Sequence, residues 1–150
     1  MQGVYNIHQV GVTSGTSVVT LVEIELPAAH TWEVIRAYIE NETSEVSEQW
    51  TASFVRKSAD GTNVTTPTGS ALDPASPAHG LTLRGMATAV GTISETLMRR
   101  GFNVLNGFEW VATPEERIII PATGTFGLHL PVAPPSSITI SCGVIIQRLG

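Results

Sequence analysis

The sequence predicts an all-β protein, an antiparallel β-sandwich that is jelly-roll-like, with about nine or ten strands and at most one or two short helices. Short runs rich in Val, Ile, Thr and aromatic residues alternate with clusters of Gly, Pro, Ser and Asn, which is the pattern of strands and turns. The turn signals recur roughly every 8–12 residues, a spacing typical of sandwiches and jelly rolls. The 150 residues suit one domain, which we place at 1–150.

The first two strands are predicted from alternation of side chains. Val4–Thr13 forms the first strand, and the Ser14-Gly15 turn separates it from a second strand over Ser17–Leu26, which Pro27 ends. Because side chains alternate along a strand, one face of the second strand is expected to carry Val18, Thr20, Val22, Ile24 and Leu26.

The segment Thr31–Asn41 is ambiguous. A helix would align Trp32, Ile35 and Ile39, but the β-branched and aromatic content favours a strand. The polar segment Glu42–Glu48 is expected to form a loop or one helical turn. Alternation then resumes in a strand over Gln49–Ser58.

The longest irregular stretch is Asp60–Gly80, which we predict to be a long loop, functional or mobile. Strands are expected to resume at Leu81–Ala89 and Thr92–Arg100. Within Gly101–Trp110, the dipeptide Asn106-Gly107 is the strongest short-range hairpin signal, and we expect a hairpin there.

The C-terminal part begins with a short helical signal. Thr113-Pro114-Glu115-Glu116 has a capping residue, a proline at the first helical position and a glutamate three residues after the cap, so one helical turn is expected. Three further strands are predicted at Arg117–Ile120, Thr125–Leu130 and Ser136–Arg148.

Composition limits the function. Charged residues make up 14% of the chain and the net charge is −5, with Lys57 as the only lysine. No basic run is present to neutralise phosphates, so we expect no nucleic-acid partner. No window approaches the ~20 apolar residues of a membrane helix, and Met1–Val10 lacks the features of a signal peptide. We therefore expect no membrane partner and synthesis in a cytoplasm. Cys142, the single cysteine, is expected to be a small buried hydrophobe.

No catalytic, metal-binding or cofactor-binding motif is visible, so we predict no catalytic residue, no metal site and no cofactor. The four histidines are far apart in sequence and do not form a zinc-binding spacing. Glu109, Glu115 and Glu116 lie close to Trp110, an arrangement that could bind sugar. A solvated turn is the simpler interpretation of these acidic residues.

The run Arg100–Trp110, followed by Thr113-Pro114-Glu115-Glu116-Arg117-Ile118, resembles small virion proteins encoded among the head genes of tailed bacteriophages. The opening pattern at Gly3-Val4-Tyr5 and the closing Pro-rich turn and apolar strand are similar to the same group. The resemblance implies a capsid decoration, or cement, protein with a β-sandwich fold.

That resemblance further implies a structural protein rather than an enzyme, located on the capsid surface of the virion after synthesis in the host cytoplasm. Its implied partners are the major capsid protein and copies of itself, as a homotrimer. The Met1–Gln9 segment and the Asp60–Gly80 loop are candidates for coat contact. The candidate partner-contact residues are Val4, Tyr5, Ile7, Trp32, Trp50 and Trp110. Packing in the core is the alternative interpretation of the three tryptophans.

Two other functions remain open. The chain could be a tail- or fibre-associated β-sandwich that binds a host surface glycan, with an aromatic and carboxylate patch near Trp110. It could also be a hydrolase of cell-wall sugar, which would need paired carboxylates across a cleft.

Overall fold

The computed structural model describes residues 3–150 and confirms the predicted all-β sandwich. A single turn of 3-10 helix at Pro114–Glu116 accounts for the predicted helical turn. The described residues form eleven strands: β1 (Val4–Thr13), β2 (Val19–Glu25), β3 (Thr31–Asn41), β4 (Gln49–Ala59), β5 (Thr68–Ala71), β6 (Thr82–Ala87), β7 (Thr92–Asn103), β8 (Phe108–Val111), β9 (Ile118–Ile120), β10 (Thr125–Leu130) and β11 (Thr139–Leu149).

The strands form two antiparallel sheets. Sheet A has the order β5-β1-β11-β3-β8, and β9 pairs with β3 beside β8. Sheet B has the order β6-β2-β10-β4-β7. The inner faces of the two sheets enclose the hydrophobic core, as aligned sandwich packing requires.

Aromatic rings fill the middle of the core. The Phe54 ring lies 5.0 Å from that of Trp110 and 5.7 Å from that of Phe126, measured between centroids. These separations fall in the range of favourable ring pairs. Cys142 is fully buried as expected, and burial raises the pKa of its thiol to about 12.

The ambiguous segment Thr31–Asn41 is a strand, with the boundaries that its composition indicated. It lies inside sheet A between β11 and the pair β8 and β9, where β-branched side chains pack well. The polar residues after it form a loop. Asn41 closes this loop, because its Oδ1 accepts the Ser44 N–H at 2.9 Å and its Nδ2 donates to the Ser44 carbonyl at 2.7 Å.

The prediction of an unbroken loop over Asp60–Gly80 was wrong in one part. Strand β5 lies within it and pairs with β1 at the edge of sheet A, with Tyr5 opposite Ala71 and His8 opposite Thr68. Its four residues have small or polar side chains and no apolar alternation, so the sequence carries no strand signal there.

The hairpin predicted at Asn106-Gly107 was also wrong. The turn does form, with Gly107 at φ +74°, but β7 pairs with β4 in sheet B whereas β8 pairs with β3 in sheet A. The turn therefore carries the chain from one sheet to the other. Asn-Gly fixes the local backbone conformation, while pairing with distant strands decides which sheet each arm joins.

Candidate functional site

The structure places most of the predicted contact residues in the core. Only Val4 is half-buried, and the other five side chains are buried: Tyr5, Ile7, Trp32, Trp50 and Trp110. A side chain enclosed by its own domain offers little surface to a partner, and these five side chains are part of the core in this structure. For the tryptophans, core packing is the alternative that the structure supports. Met1 and Gln2, part of the predicted N-terminal contact segment, lie outside the described residues.

The acidic residues near Trp110 do not face one another across a cleft. All three glutamates are exposed. Glu109 pairs with Arg36 at 2.9 Å, and Glu116 accepts a hydrogen bond from Thr113 Oγ1 at 3.2 Å. Trp110 itself is only 8% exposed. The turn is therefore solvated, as the simpler interpretation held.

The outer face of sheet B holds a buried charged cluster that the sequence did not reveal. It begins with a β-bulge in β2, where Leu128 and His129 of β10 are opposite Val22 and Thr20. A bulge inserts one extra residue and so changes the alternation of side chains. Leu21 and Val22 both join the hydrophobic core, while Thr20 and Glu23 project from the outer face. The prediction that Thr20 shares a face with Val22 was therefore wrong.

Lys57 lies at the centre of this cluster, and its side chain is 0% exposed, as is that of Glu23. Its Nζ donates to Glu23 Oε1 at 2.6 Å, to Thr20 Oγ1 at 2.9 Å and to the Val90 carbonyl at 2.6 Å. An ammonium group has three N–H donors. All three are therefore used within the protein.

Glu23 is equally well paired. Its Oε1 also accepts the Gly61 N–H at 3.1 Å, and its Oε2 lies 3.3 Å from Nη1 of Arg84. Arg84 extends the network outward, because it bonds Glu25 at 2.7 Å and lies 3.5 Å from Asp60. Positive and negative charges thus alternate from the buried centre to the half-buried rim.

Two connections cover the cluster. Residues 88–91 link β6 to β7, which lie at opposite edges of sheet B, so this short segment crosses the outer face of the sheet. Thr62 donates its backbone N–H to the Ala89 carbonyl at 2.9 Å, which joins the segment after β4 to this crossover. Lys57 holds the crossover from below through the Val90 carbonyl.

His129 lies beside the cluster and is neutral at pH 7. Burial first, and the nearby Lys57 charge second, lower the pKa of this imidazole from 6.5 to about 4, although a backbone hydrogen bond with Val19 opposes the shift. Thr20 Oγ1 accepts a hydrogen bond from Lys57 Nζ and lies 3.0 Å from His129 Nδ1. The hydroxyl therefore connects the Lys57 ammonium to the His129 imidazole.

One sequence signal could have pointed to this cluster. Lys57 is the only lysine, and it lies on β4 close to the apolar residues Phe54 and Val55 of the same strand. A lysine is rarely fully buried unless it is paired. The sequence could not indicate which residue pairs with Lys57, because Glu23 lies two strands away in sheet B, on the other side of β10. Since every polar group of the pair is satisfied and covered, its chemical role here is to hold the crossover on the sheet.

A second feature is an open groove along one side of the sandwich. It lies between β7, the last strand of sheet B, and the short strands β8 and β9 at the edge of sheet A. The groove has a volume of about 270 Å³. It is lined by Leu97, Met98, Trp110, Glu116 and Ile118.

Bulges in β7 shape this groove. The pairing of β7 with β4 shifts between Phe54 and Val55, because Met98 and Thr96 are their successive partners and Leu97 is the extra residue. Leu97 and Met98, adjacent in sequence, therefore both line the groove. Val111 and Ile119, on the edge strands opposite, are 59% and 41% exposed. We call Leu97, Met98, Val111, Ile118 and Ile119 the open edge.

No group of three or more His, Cys, Asp or Glu side chains among residues 3–150 is arranged to hold a metal ion. In the same part of the chain, no helix is both long and apolar enough to span a membrane.

Comparison with protein-family models, with curated proteins and with solved structures finds no match to this chain.

Proposed function

We propose that this protein is a structural binding module, and more specifically a capsid decoration protein of a tailed bacteriophage. It would bind the outside of the head through the major capsid protein and stabilise the shell. Its location would be the capsid surface, after synthesis in the host cytoplasm, and no catalytic step is part of the role. The assignment to phage heads comes from the resemblance of residues 100–118.

The observation that carries the binding role is the open edge. Contiguous apolar side chains on a protein surface commonly mark a site of association. Here two adjacent residues of a bulged strand, Leu97 and Met98, face a groove whose other wall carries Ile118. Val111 and Ile119 are exposed on the same two edge strands, where they alternate with Trp110 and Ile118 and so point away from the groove.

A second copy of the chain is the occupant that we propose for this edge. The groove separates two different strand edges, so one subunit would present β7 and its neighbour β8 and β9. Such a head-to-tail contact is heterologous, and it forms a ring when the rotation closes. A trimer is the smallest ring that this geometry closes without two-fold symmetry, and it matches the implied homotrimer.

Adding charge to the open edge is expected to dissociate the trimer. The protein should have a mass in solution of about 48 kDa, three times the chain mass of 15.9 kDa. The double variant Val111→Glu with Ile119→Lys should have the mass of one chain, because both sites would place charge in an apolar interface. Light scattering coupled to size-exclusion chromatography measures both values.

The matched control places the same two substitutions on exposed valines elsewhere. Val10→Glu with Val132→Lys changes residues that are 69% and 49% exposed and lie outside the open edge. This variant should keep the trimer mass. A wild-type mass of one chain, or a trimer that both double variants preserve, would contradict association through this edge.

The glycan-binding alternative needs an exposed aromatic ring. Trp110, its original candidate, is 8% exposed and packs edge-on against Phe54, so little of its ring faces solvent. The nine aromatic residues are all described, and only Tyr38 and Phe102 are partly exposed. Phe102 packs on Trp50 and Phe108, which leaves Tyr38 as the ring to consider.

A further inference from the structure

The outer face of sheet A differs from that of sheet B. Sheet B is covered by the crossover of residues 88–91, whereas the central residues of sheet A stay partly exposed. Strand register defines one row across this face: Glu109, Tyr38, Gly143 and His8 lie side by side on β8, β3, β11 and β1. The adjacent row contains Val111, Arg36, Ile145 and Asn6.

Tyr38 leans across β11 in the first row. Its hydroxyl reaches Asn6 on β1 and lies 3.1 Å from Nδ2 and 3.2 Å from Oδ1 of that amide. Gly143 makes this possible, because a Cβ at that position would lie 2.5 Å from Tyr38 Oη and 2.7 Å from Cζ. The glycine thus leaves room for the Tyr38 phenol, and the Asn6 amide holds the hydroxyl at the end of that side chain.

Polar groups of both signs surround this ring. The Arg36 guanidinium carbon lies over one face of the Tyr38 ring, 5.7 Å from the ring centroid, and the same guanidinium is paired with Glu109 at 2.9 Å. On the other side, His8 Nε2 lies 3.1 Å from Ser70 Oγ. The Arg36–Glu109 pair therefore leaves little net charge beside the aromatic ring.

We propose that this surface, defined by Tyr38, Gly143, Arg36, Glu109 and Asn6, binds a neutral pyranose sugar. The C–H bonds on one face of a sugar carry slight positive charge and stack on the negative face of an aromatic ring. Sugar hydroxyls both donate and accept hydrogen bonds, which suits an amide, a carboxylate and a guanidinium placed around the ring. A phosphorylated or sulfated ligand is not favoured, because Glu109 cancels the charge of Arg36.

This site does not depend on the decoration role and lies outside the groove, but it adjoins the open edge, because Val111 is opposite Arg36 in the neighbouring row. One ring and a few polar groups support weak binding, with a dissociation constant of about 1–10 mM. Cellobiose, lactose and maltose are suitable probes, because all three are neutral and present pyranose rings of different stereochemistry.

The test is a titration of each disaccharide followed through the backbone amide shifts of the protein. At least one sugar should move the amides of Tyr38, Gly143 and Asn6, and Tyr38→Ala should weaken that binding about tenfold or more. Tyr38→Phe should stay within about threefold of wild type, because it keeps the ring. Gly143→Ala should weaken binding although Tyr38 is unchanged, because the added Cβ displaces the phenol.

Phe102→Leu is the matched control, since it removes the other partly exposed ring from sheet B and should leave sugar binding unchanged. Amide spectra of each variant report whether it is folded. If Tyr38→Ala does not fold, Gly143→Ala gives an independent test. The proposal is overturned if none of the three sugars moves amides on this face. It is also overturned if binding survives both Tyr38→Ala and Gly143→Ala. Neither result would affect attachment to phage heads.

Discussion

Replacing Lys57 with methionine is expected to lower the free energy of unfolding by about 3–5 kcal/mol. Methionine keeps most of the side-chain volume, but it removes the charge that faces Glu23 in a site where both side chains are fully buried. The Val90 carbonyl loses its hydrogen bond as well. Glu23 then keeps only the Gly61 N–H and the longer contact with Arg84, and a buried carboxylate that loses its main partner is far more costly than an exposed one. Urea unfolding followed by tryptophan fluorescence measures the difference.

The matched control for this variant is an exposed ion pair in the other sheet. Glu109→Gln breaks a 2.9 Å contact with Arg36 whose two side chains are 55% and 40% exposed, and it should cost less than about 1 kcal/mol. Replacing both members of the buried pair, Lys57→Met with Glu23→Leu, should cost less than the sum of the single variants. Equal small effects for Lys57→Met and Glu109→Gln would refute the structural role of the cluster.

Acid is expected to destabilise the protein through His129. Its pKa is about 4 in the folded protein and 6.5 in the reference state, so the unfolded chain binds the proton more tightly. Stability from the neutral imidazole is complete above about pH 6.5 and is lost as the pH falls towards 4. The total loss is roughly 3 kcal/mol, at about 1.4 kcal/mol for each pH unit between the two pKa values.

His129→Gln isolates this effect from the titration of other groups. Burial also lowers the pKa of His79, and carboxylates titrate at the acid end of the range. The change of wild-type unfolding free energy with pH therefore has several sources. The difference in unfolding free energy between wild type and His129→Gln, measured from pH 7 to pH 4.5, should shrink steadily as the pH falls. A constant difference over that range would show that His129 is not held neutral by the fold.

Local patterns predicted several strands with the boundaries that the structure has. The ends of β1, β3 and β10 agree with those predicted, because each strand combines a β-branched or aromatic run with flanking turn residues. Local composition also placed one helical turn at Pro114–Glu116. The sequence was sufficient to predict those elements whose backbone conformation depends only on residues close in the chain.

The features that the sequence missed depend on contacts between distant residues. The bulge in β2 is visible only in its register with β10, and it turns Thr20 towards Lys57. Strand β5 exists because the edge of β1 is available to it. The Asn106-Gly107 turn was recognised, but the sheets that its arms join were not. Candidate sites were harder to predict than strands. The tryptophans that suggested an interface are core residues, and the partial exposure of Tyr38 depends on a glycine of another strand.

The protein is a two-sheet sandwich, and we propose that its function lies in its surfaces. The charged cluster anchors the crossover on sheet B, the open edge is proposed to join subunits, and the resemblance of the C-terminal half points to phage heads. Head attachment is the central claim, and the role of self-association in it can be tested with the open-edge variant Val111→Glu with Ile119→Lys.

Co-sedimentation with undecorated heads of a tailed phage tests this claim most directly. Wild-type protein should pellet with the heads and saturate at a fixed number of copies per coat subunit, and the decorated heads should withstand heating better than bare ones. The open-edge variant should bind less tightly, because a single chain loses the gain from several linked contacts. Wild-type protein that stays entirely in the supernatant, with heads no more stable than before, would contradict the decoration role.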